Sequence, residues 1–293
     1  SPFSFSTWVY IGDVTTDSGA FATKRDATGG AATAEWFFGH ALGNIQVFIY
    51  DDGGTGGTGN RLRYISNSKL SSATWHHVTI TYNGSGSHTG IKVYVDGSLF
   101  AAGTLDTQGA YHDSHNTVTE VYIGGTKVPT SNTFEDYIAD TVFYNKEISA
   151  AEVTEIRNGG KVYDMNLFSA YSNIIAWYKM GDGDDTTGPG GIRDYKGTHH
   201  ATLVEGASIF RGTTGLKGDS KRLQYPGRGY GKLAGSIDEF RFWKTSRNSK
   251  QVGRFYNHQV GAGANENIEN ASLGVYYKFN EGITGDTGID NIV

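Results

Sequence analysis

From Phe3 to Tyr10 polar and apolar residues alternate as FSFSTWVY, and a period of two puts the two kinds of side chain on opposite faces of an extended strand. The same pattern, in whole or part, returns in EWFFGH (35–40), NIQVFIYD (44–51), RLRYIS (61–66), WHHVTITYNG (75–84), IKVYVDGSLF (91–100), TEVYIGG (119–125) and DYIADTVFYN (136–145). Gly, Asn, Asp and Ser separate these runs. Short strands punctuated in this way predict an antiparallel β-sandwich or barrel. The 42 Gly against 4 Pro, with 18 Tyr, 15 Phe and 5 Trp, agree with that class, since Gly supplies tight turns and aromatics suit a half-buried pleated surface. Asn83-Gly84 and Asp96-Gly97 read as two-residue hairpin turns. DDGGTGGTGN (51–60) is too Gly-rich to pack and reads as a solvated loop.

A second pattern lies on top of the first. IADTVFYNKEISAAEVTEIRN, beginning at Ile138, is echoed by IDEFRFWKTSRNSKQVGRFYN, beginning at Ile237, an ungapped offset of 99. The same offset carries IIAWYKMGDG at Ile174 onto LGVYYKFNEG at Leu273. The repeated block spans a closing strand, a helix and a next opening strand, so it straddles a module boundary. Its helix follows Ser149, with Glu152 placed for a capping box and Val153 and Ile156 on one face. In the second copy Asn248 or Ser249 takes the cap, and Val252 and Phe255 take the apolar face.

Composition excludes several classes. The formal charge of −5, with basic residues scattered rather than gathered, argues against a nucleic-acid surface. No Cys is present, which removes disulfides, thiolate metal sites and cysteine nucleophiles. No apolar run approaches the roughly 20 residues of a membrane span.

WHHVTITYNG, IKVYVDG, VYIGG and DYIADTVFYNKEISAAEVTEI together resemble the closing half of a concanavalin A-like jelly roll of the laminin G-like type. IIAWYKMGDG and RDYKGTHHATLVEG (193–206) resemble the opening of such a module. The resemblance implies an all-β chain of antiparallel jelly-roll β-sandwich modules with short helices near module ends. It divides the chain into a module over 1–165 that lacks its opening strand, a shortened second module over 166–262 without the central strands, and the opening strand of a further module over 263–293. Unpaired edges of that kind predict a homo-oligomer or other structural chains as partners.

The chemistry read from the residues is non-enzymatic. Glycosidases of this fold carry carboxylates that share a strand face. Glu135, Asp136 and Asp140 lack that spacing, and the adjacent Asp238 and Glu239 point to opposite faces. His76 and His77 diverge for the same reason, and His112, Asp113 and His115 sit in a polar loop. Asp182, Asp184 and Asp194, spread through a Gly-rich stretch, suit calcium, and the resemblance points to Asp182 and Asp194 first. Trp36, Tyr111 and Tyr230 are candidates for stacking on sugar rings by their loop or near-loop position. The resemblance extends to arrays in tail, fibre or decoration proteins of bacterial viruses. It implies a structural and adhesion protein, on a virion surface or extracellular, that binds surface glycans. The alternative is a secreted carbohydrate-binding module of a bacterial polysaccharide-processing or cell-surface protein.

Overall fold

The structure is a computed structural model that describes residues 1–25, 34–51, 60–127, 132–180, 189–204, 240–249, 252 and 273–277. Tyr230, Asp182, Asp184, Phe255 and most of the 51–60 loop lie outside the described residues. The chain divides into two units, Ser1–Tyr230 and Gly231–Val293.

The strands, in chain order, are β1 (Phe3–Ile11), β2 (Ser18–Arg25), β3 (Ala34–Ala41), β4 (Asn44–Tyr50), β5 (Arg61–Lys69), β6 (Thr74–Tyr82) and β7 (Ile91–Val95). They continue as β8 (Ser98–Leu99), β9 (Gly103–Gln108), β10 (Tyr122–Ile123), β11 (Tyr137–Tyr144), β12 (Ile174–Tyr178), β13 (Phe240–Trp243) and β14 (Leu273–Tyr277), with one helix, α1 (Ala150–Arg157), after β11. Unit 1 holds two six-stranded antiparallel sheets, ordered β12-β11-β1-β6-β7-β8 and β10-β2-β3-β4-β5-β9. This is the all-β sandwich that the alternation predicts. No helix among the described residues is long and apolar enough to cross a membrane.

Alternation decides what each face buries. Phe5, Val9 and Ile11 of β1 join Phe38, Ile45, Val47, Ile49 and Leu62 of the facing sheet in the main core. The other face of the first sheet is buried too. Ser6 of β1 meets the Tyr144 hydroxyl at 3.0 Å, and Val153 and Ile156 of α1 pack there with Val142, Tyr144 and Trp177. The helix starts where the sequence places it: the Ser149 side chain accepts from the Glu152 amide and the Glu152 side chain accepts from the Ser149 amide.

Asp96-Gly97 forms the predicted two-residue turn, with φ of 52° and 82°, between β7 and β8. Asn83-Gly84 instead opens a longer connection through a 3₁₀ turn at His88–Gly90, because Asn83 Oδ1 accepts the Ser85 amide and turns the chain before it can reverse. Strands β2 and β9 were not among the strands expected from the sequence. SGAFATKR and GTLDTQ are rich in small and polar residues and carry little β signal.

The repeated block is a structural repeat as well. In unit 1, β11 pairs β12 with Thr141↔Tyr178, Val142↔Trp177, Phe143↔Ala176 and Tyr144↔Ile174, so Ile174–Tyr178, assigned from sequence to a second module, extends the first sheet. In unit 2, β13 pairs β14 with Phe240↔Tyr277, Arg241↔Tyr276, Phe242↔Val275 and Trp243↔Leu273. Each of these pairs is the first set moved by 99 positions, including the register shift before the last pair. The Val252 amide bonds to Asn248 O at 3.0 Å, as the Val153 amide bonds to Ser149 O at 2.9 Å, so Asn248 stands at the cap position of the second copy.

Candidate functional site

The outer face of the second sheet concentrates the chemistry. Period-two alternation along β4 sends Ile45, Val47 and Ile49 inward and Gln46, Phe48 and Tyr50 outward. The ladder then sets outward residues of neighbouring strands side by side: Phe37 with Phe48, Phe48 with Arg63, Arg63 with Asp106, Tyr50 with Arg61, and Arg61 with Gln108. Phe37 and Phe48 stack at 5.5 Å between centroids. The Arg61 guanidinium lies 4.2 Å from the Phe48 centroid and 6.0 Å from that of Tyr50, and Arg25 lies 5.8 Å from Tyr50.

Polar side chains hold these cations in place. Arg61 Nε donates to Gln108 Oε1 at 2.8 Å. Arg63 grips Asp106 at two points, Nε to Oδ1 at 2.8 Å and Nη2 to Oδ2, a fork that fixes direction as well as charge. That hydrogen bond holds the Asp106 carboxyl below the usual carboxylate range and raises the guanidinium above its own. Tyr50 is buried, and its hydroxyl has no hydrogen-bond partner among the described residues.

A polar loop closes one end of this face. Asp51, buried at the end of β4, accepts the amides of His112 at 3.0 Å and Asp113 at 3.1 Å, and faces His112 Nδ1 at 3.3 Å. Glu35 accepts the Thr117 amide and pairs with Lys24 at 2.7 Å. The His115 amide donates to Tyr50 O at 3.1 Å. The loop turns at Gly109 (φ +65°), where a Cβ would sit 1.9 Å from Asn60 Oδ1, so no other residue fits without a shift. Two carboxylates therefore pin the loop to the ends of β3 and β4, and the His112 and Asp113 side chains remain exposed at its crest.

The residues singled out in the sequence fall in several places. Trp36 lies on the core side, stacked on Phe38 at 4.6 Å and 11°. Tyr111 packs against the main core, with its hydroxyl 2.9 Å from Ser114 Oγ; burial raises its phenol above the ordinary range. Asp194 is buried and accepts the amides of Trp177 at 3.0 Å, Lys196 at 2.9 Å and His199 at 3.1 Å. Burial pushes that carboxyl up, and these amides, with that of Gly197, outweigh it and bring it below the ordinary range. Among the described residues no three His, Cys, Asp or Glu side chains converge as a metal centre would require. Phe48, Arg61, Arg63 and Asp106 were absent from the sequence candidates. The alternation of NIQVFIY marks Phe48 and Tyr50 as sharing a face with Gln46, but only the register brings the arginines beside them.

Comparison with known proteins agrees with the fold. The laminin G-like family described as the concanavalin A-like lectin/glucanases superfamily matches residues 1–154, and the chain belongs to that superfamily. No curated protein matches the chain. Among solved structures, a Bacteroides ovatus protein described as a carbohydrate-binding candidate is 18% identical with a TM-score of 0.47, covering 68% of this chain and 50% of its own. Domain 4 of a GH43 extracellular arabinanase from Geobacillus stearothermophilus, solved with arabinotriose, is 16% identical with a TM-score of 0.37, over 53% of this chain and 66% of that one. A heptameric SAP-like pentraxin from Limulus polyphemus is 11% identical with a TM-score of 0.35, over 54% and 70%. The chain thus spans half the length of the Bacteroides protein.

Proposed function

We propose that unit 1 is a non-catalytic carbohydrate-binding module, and that the outer face of the second sheet takes the saccharide. The carrying observation is the row of Phe48, Arg61, Arg63, Asp106 and Gln108 on one face. A sugar ring offers an apolar C–H face beside a rim of hydroxyls, and this row sets an aromatic surface beside oriented donors and acceptors. The acids beside it are engaged structurally, Asp106 by Arg63 and Glu35 by Lys24, which favours binding over acid–base chemistry.

A glycan array followed by calorimetry on the full chain tests this. Phe48→Ala and Arg61→Gln are each expected to weaken the best ligand about tenfold, roughly 1.4 kcal/mol. A ligand unaffected by both, or no glycan bound at all, would sink the reading. Binding is expected to persist in EDTA, because the Asp194 carboxylate is committed to backbone amides.

A second reading, a structural and adhesion role in an extracellular or virion-surface array, draws on the repeat. Val153 is fully buried in unit 1, whereas its counterpart Val252 is 55% exposed in unit 2, and Phe242 is 58% exposed. Apolar groups left open at copied positions favour contact with other chains. Light scattering of the full chain, with Phe242→Asp expected to reduce association, separates this reading from a monomer.

A further inference from the structure

Where β5 turns into β6, a hydroxyl, an imidazole and a carboxylate stand in series. Ser71 Oγ lies 2.9 Å from His76 Nε2, and His76 Nδ1 lies 2.8 Å from Asp96 Oδ2. Asp96 belongs to the turn between β7 and β8, and the ladder brings it here: its amide donates to His77 O at 2.9 Å, and its Oδ1 accepts the His77 amide at 3.0 Å. The turn that carries the serine is held as firmly. The Leu70 amide donates to Gly43 O at 2.9 Å, the Ala73 amide donates to Ile11 O at 2.7 Å, and Ser72 Oγ accepts the Val14 amide at 3.0 Å.

The direction of each bond sets the role of each group. Burial pushes the Asp96 carboxyl up, but the hydrogen bonds from His76 and from the His77 amide, with the positive charge of Arg157, outweigh it and bring the group below the ordinary range. Asp96 is therefore an anion at neutral pH and accepts the Nδ1 proton of His76, which turns the Nε2 lone pair to the Ser71 hydroxyl. A hydroxyl that donates to an imidazole oriented by a carboxylate is an activated nucleophile. His76 is buried and Ser71 is exposed, so the base is shielded while the oxygen is open to a reactant. One further contact limits the chemistry. The Ser71 amide also donates to His76 Nε2, at 3.2 Å. Once Oγ carries a substituent it has no proton to donate, the amide alone holds that lone pair, and no base is left to activate water against the product.

We propose that Ser71 is a site of covalent modification that captures one acyl group from an activated ester. Ser71 Oγ bonds to the carbonyl carbon as its proton passes to His76 Nε2. Collapse of the tetrahedral intermediate then breaks the bond to the leaving phenol or thiol, which takes the proton from Nε2. The products are an ester at Ser71 and a free phenol or thiol. The reaction runs once per chain, so it adds an attachment to the module without giving it turnover, and it uses none of the residues of the saccharide face.

The test treats the full chain with p-nitrophenyl acetate and maps the acetyl groups by peptide mass spectrometry. Ser72 is the internal control, since it is adjacent and exposed and its oxygen accepts the Val14 amide instead of meeting an imidazole. Ser71 is expected to be acetylated about a hundredfold faster than Ser72, to keep the ester through isolation, and to react at the same rate as Ser72 once the chain is unfolded in urea. His76→Gln is expected to bring the ratio close to one. The parent rate should level off with rising pH, as it does for a neutral imidazole base, whereas the His76→Gln rate should climb with hydroxide throughout. Asp96 is a positioning residue: Asp96→Asn, which tolerates the positive φ of the turn, should lower the ratio at least tenfold with the melting temperature retained. Equal acetylation of Ser71 and Ser72 in the folded parent, or a ratio untouched by His76→Gln, would overturn the proposal. So would release of p-nitrophenolate that runs on well past one equivalent and stops in Ser71→Ala, because that result is turnover and not capture.

Discussion

Replacing Asp140 by Asn should stabilise unit 1 at alkaline pH and lose that advantage in acid. Asp140 lies in β11 where the pairing with β1 slips between Ser6 and Trp8, and its φ of +51° belongs to the left-handed region. It is 5% exposed, and the Trp177 indole N–H donates to its Oδ1 at 2.7 Å. Burial drives its carboxyl up to about 7 from an ordinary 3.8, with the Trp177 hydrogen bond and Lys179 pulling down and Asp164 pushing up. Because the folded state holds this proton more tightly than the unfolded chain, stability falls as pH rises from about 4 to about 7 and is level above. At about 1.4 kcal/mol per pH unit, the ionised group costs the folded state about 4 kcal/mol at pH 8. Asn keeps the acceptor for Trp177 and tolerates positive φ, but it adds an amide N–H₂ that needs a partner, so the expected gain is about 2 to 4 kcal/mol. Urea unfolding followed by tryptophan fluorescence at several pH values measures it, and the difference between variant and parent should shrink steadily toward pH 4. A variant less stable than the parent at pH 8, or a difference that does not change with pH, would refute the reasoning.

The buried imidazoles act in the opposite sense. Desolvation brings His40 and His77 down to about 4, so the unfolded chain takes up protons first, and stability falls as pH drops from about 6.5 to 4. His77→Gln should flatten that acid limb in the same urea series, and Asp140→Asn should steepen it by removing the compensating slope. Val153→Ala should cost about 2 kcal/mol at its fully buried site, while Val252→Ala, at the copied but exposed position, should stay within about 0.5 kcal/mol by thermal unfolding. Ser149→Ala should cost about 1 kcal/mol by removing the oxygen that accepts the Glu152 amide, measured by chemical denaturation.

How far the sequence reveals this molecule depends on the distance over which each feature is decided. The faces of β1 and β4, the Asp96-Gly97 turn and the Ser149 cap are settled within a few residues, and each is readable in the chain. The 99-residue echo is readable too, and the structure adds what sequence could not give, that β11/β12 and β13/β14 share one register and one irregularity. Strands β2 and β9 escaped because their own residues say little; neighbours hold them in the sheet. The outer face of Phe48 needed a register, and a register is set by partners far along the chain, as Arg61 and Gln108 are 47 positions apart. Asp194 shows the deepest ambiguity. A carboxylate among glycines and further acids has the same spelling whether or not it gathers backbone amides, and only the positions of Trp177, Lys196 and His199 around it show that it does.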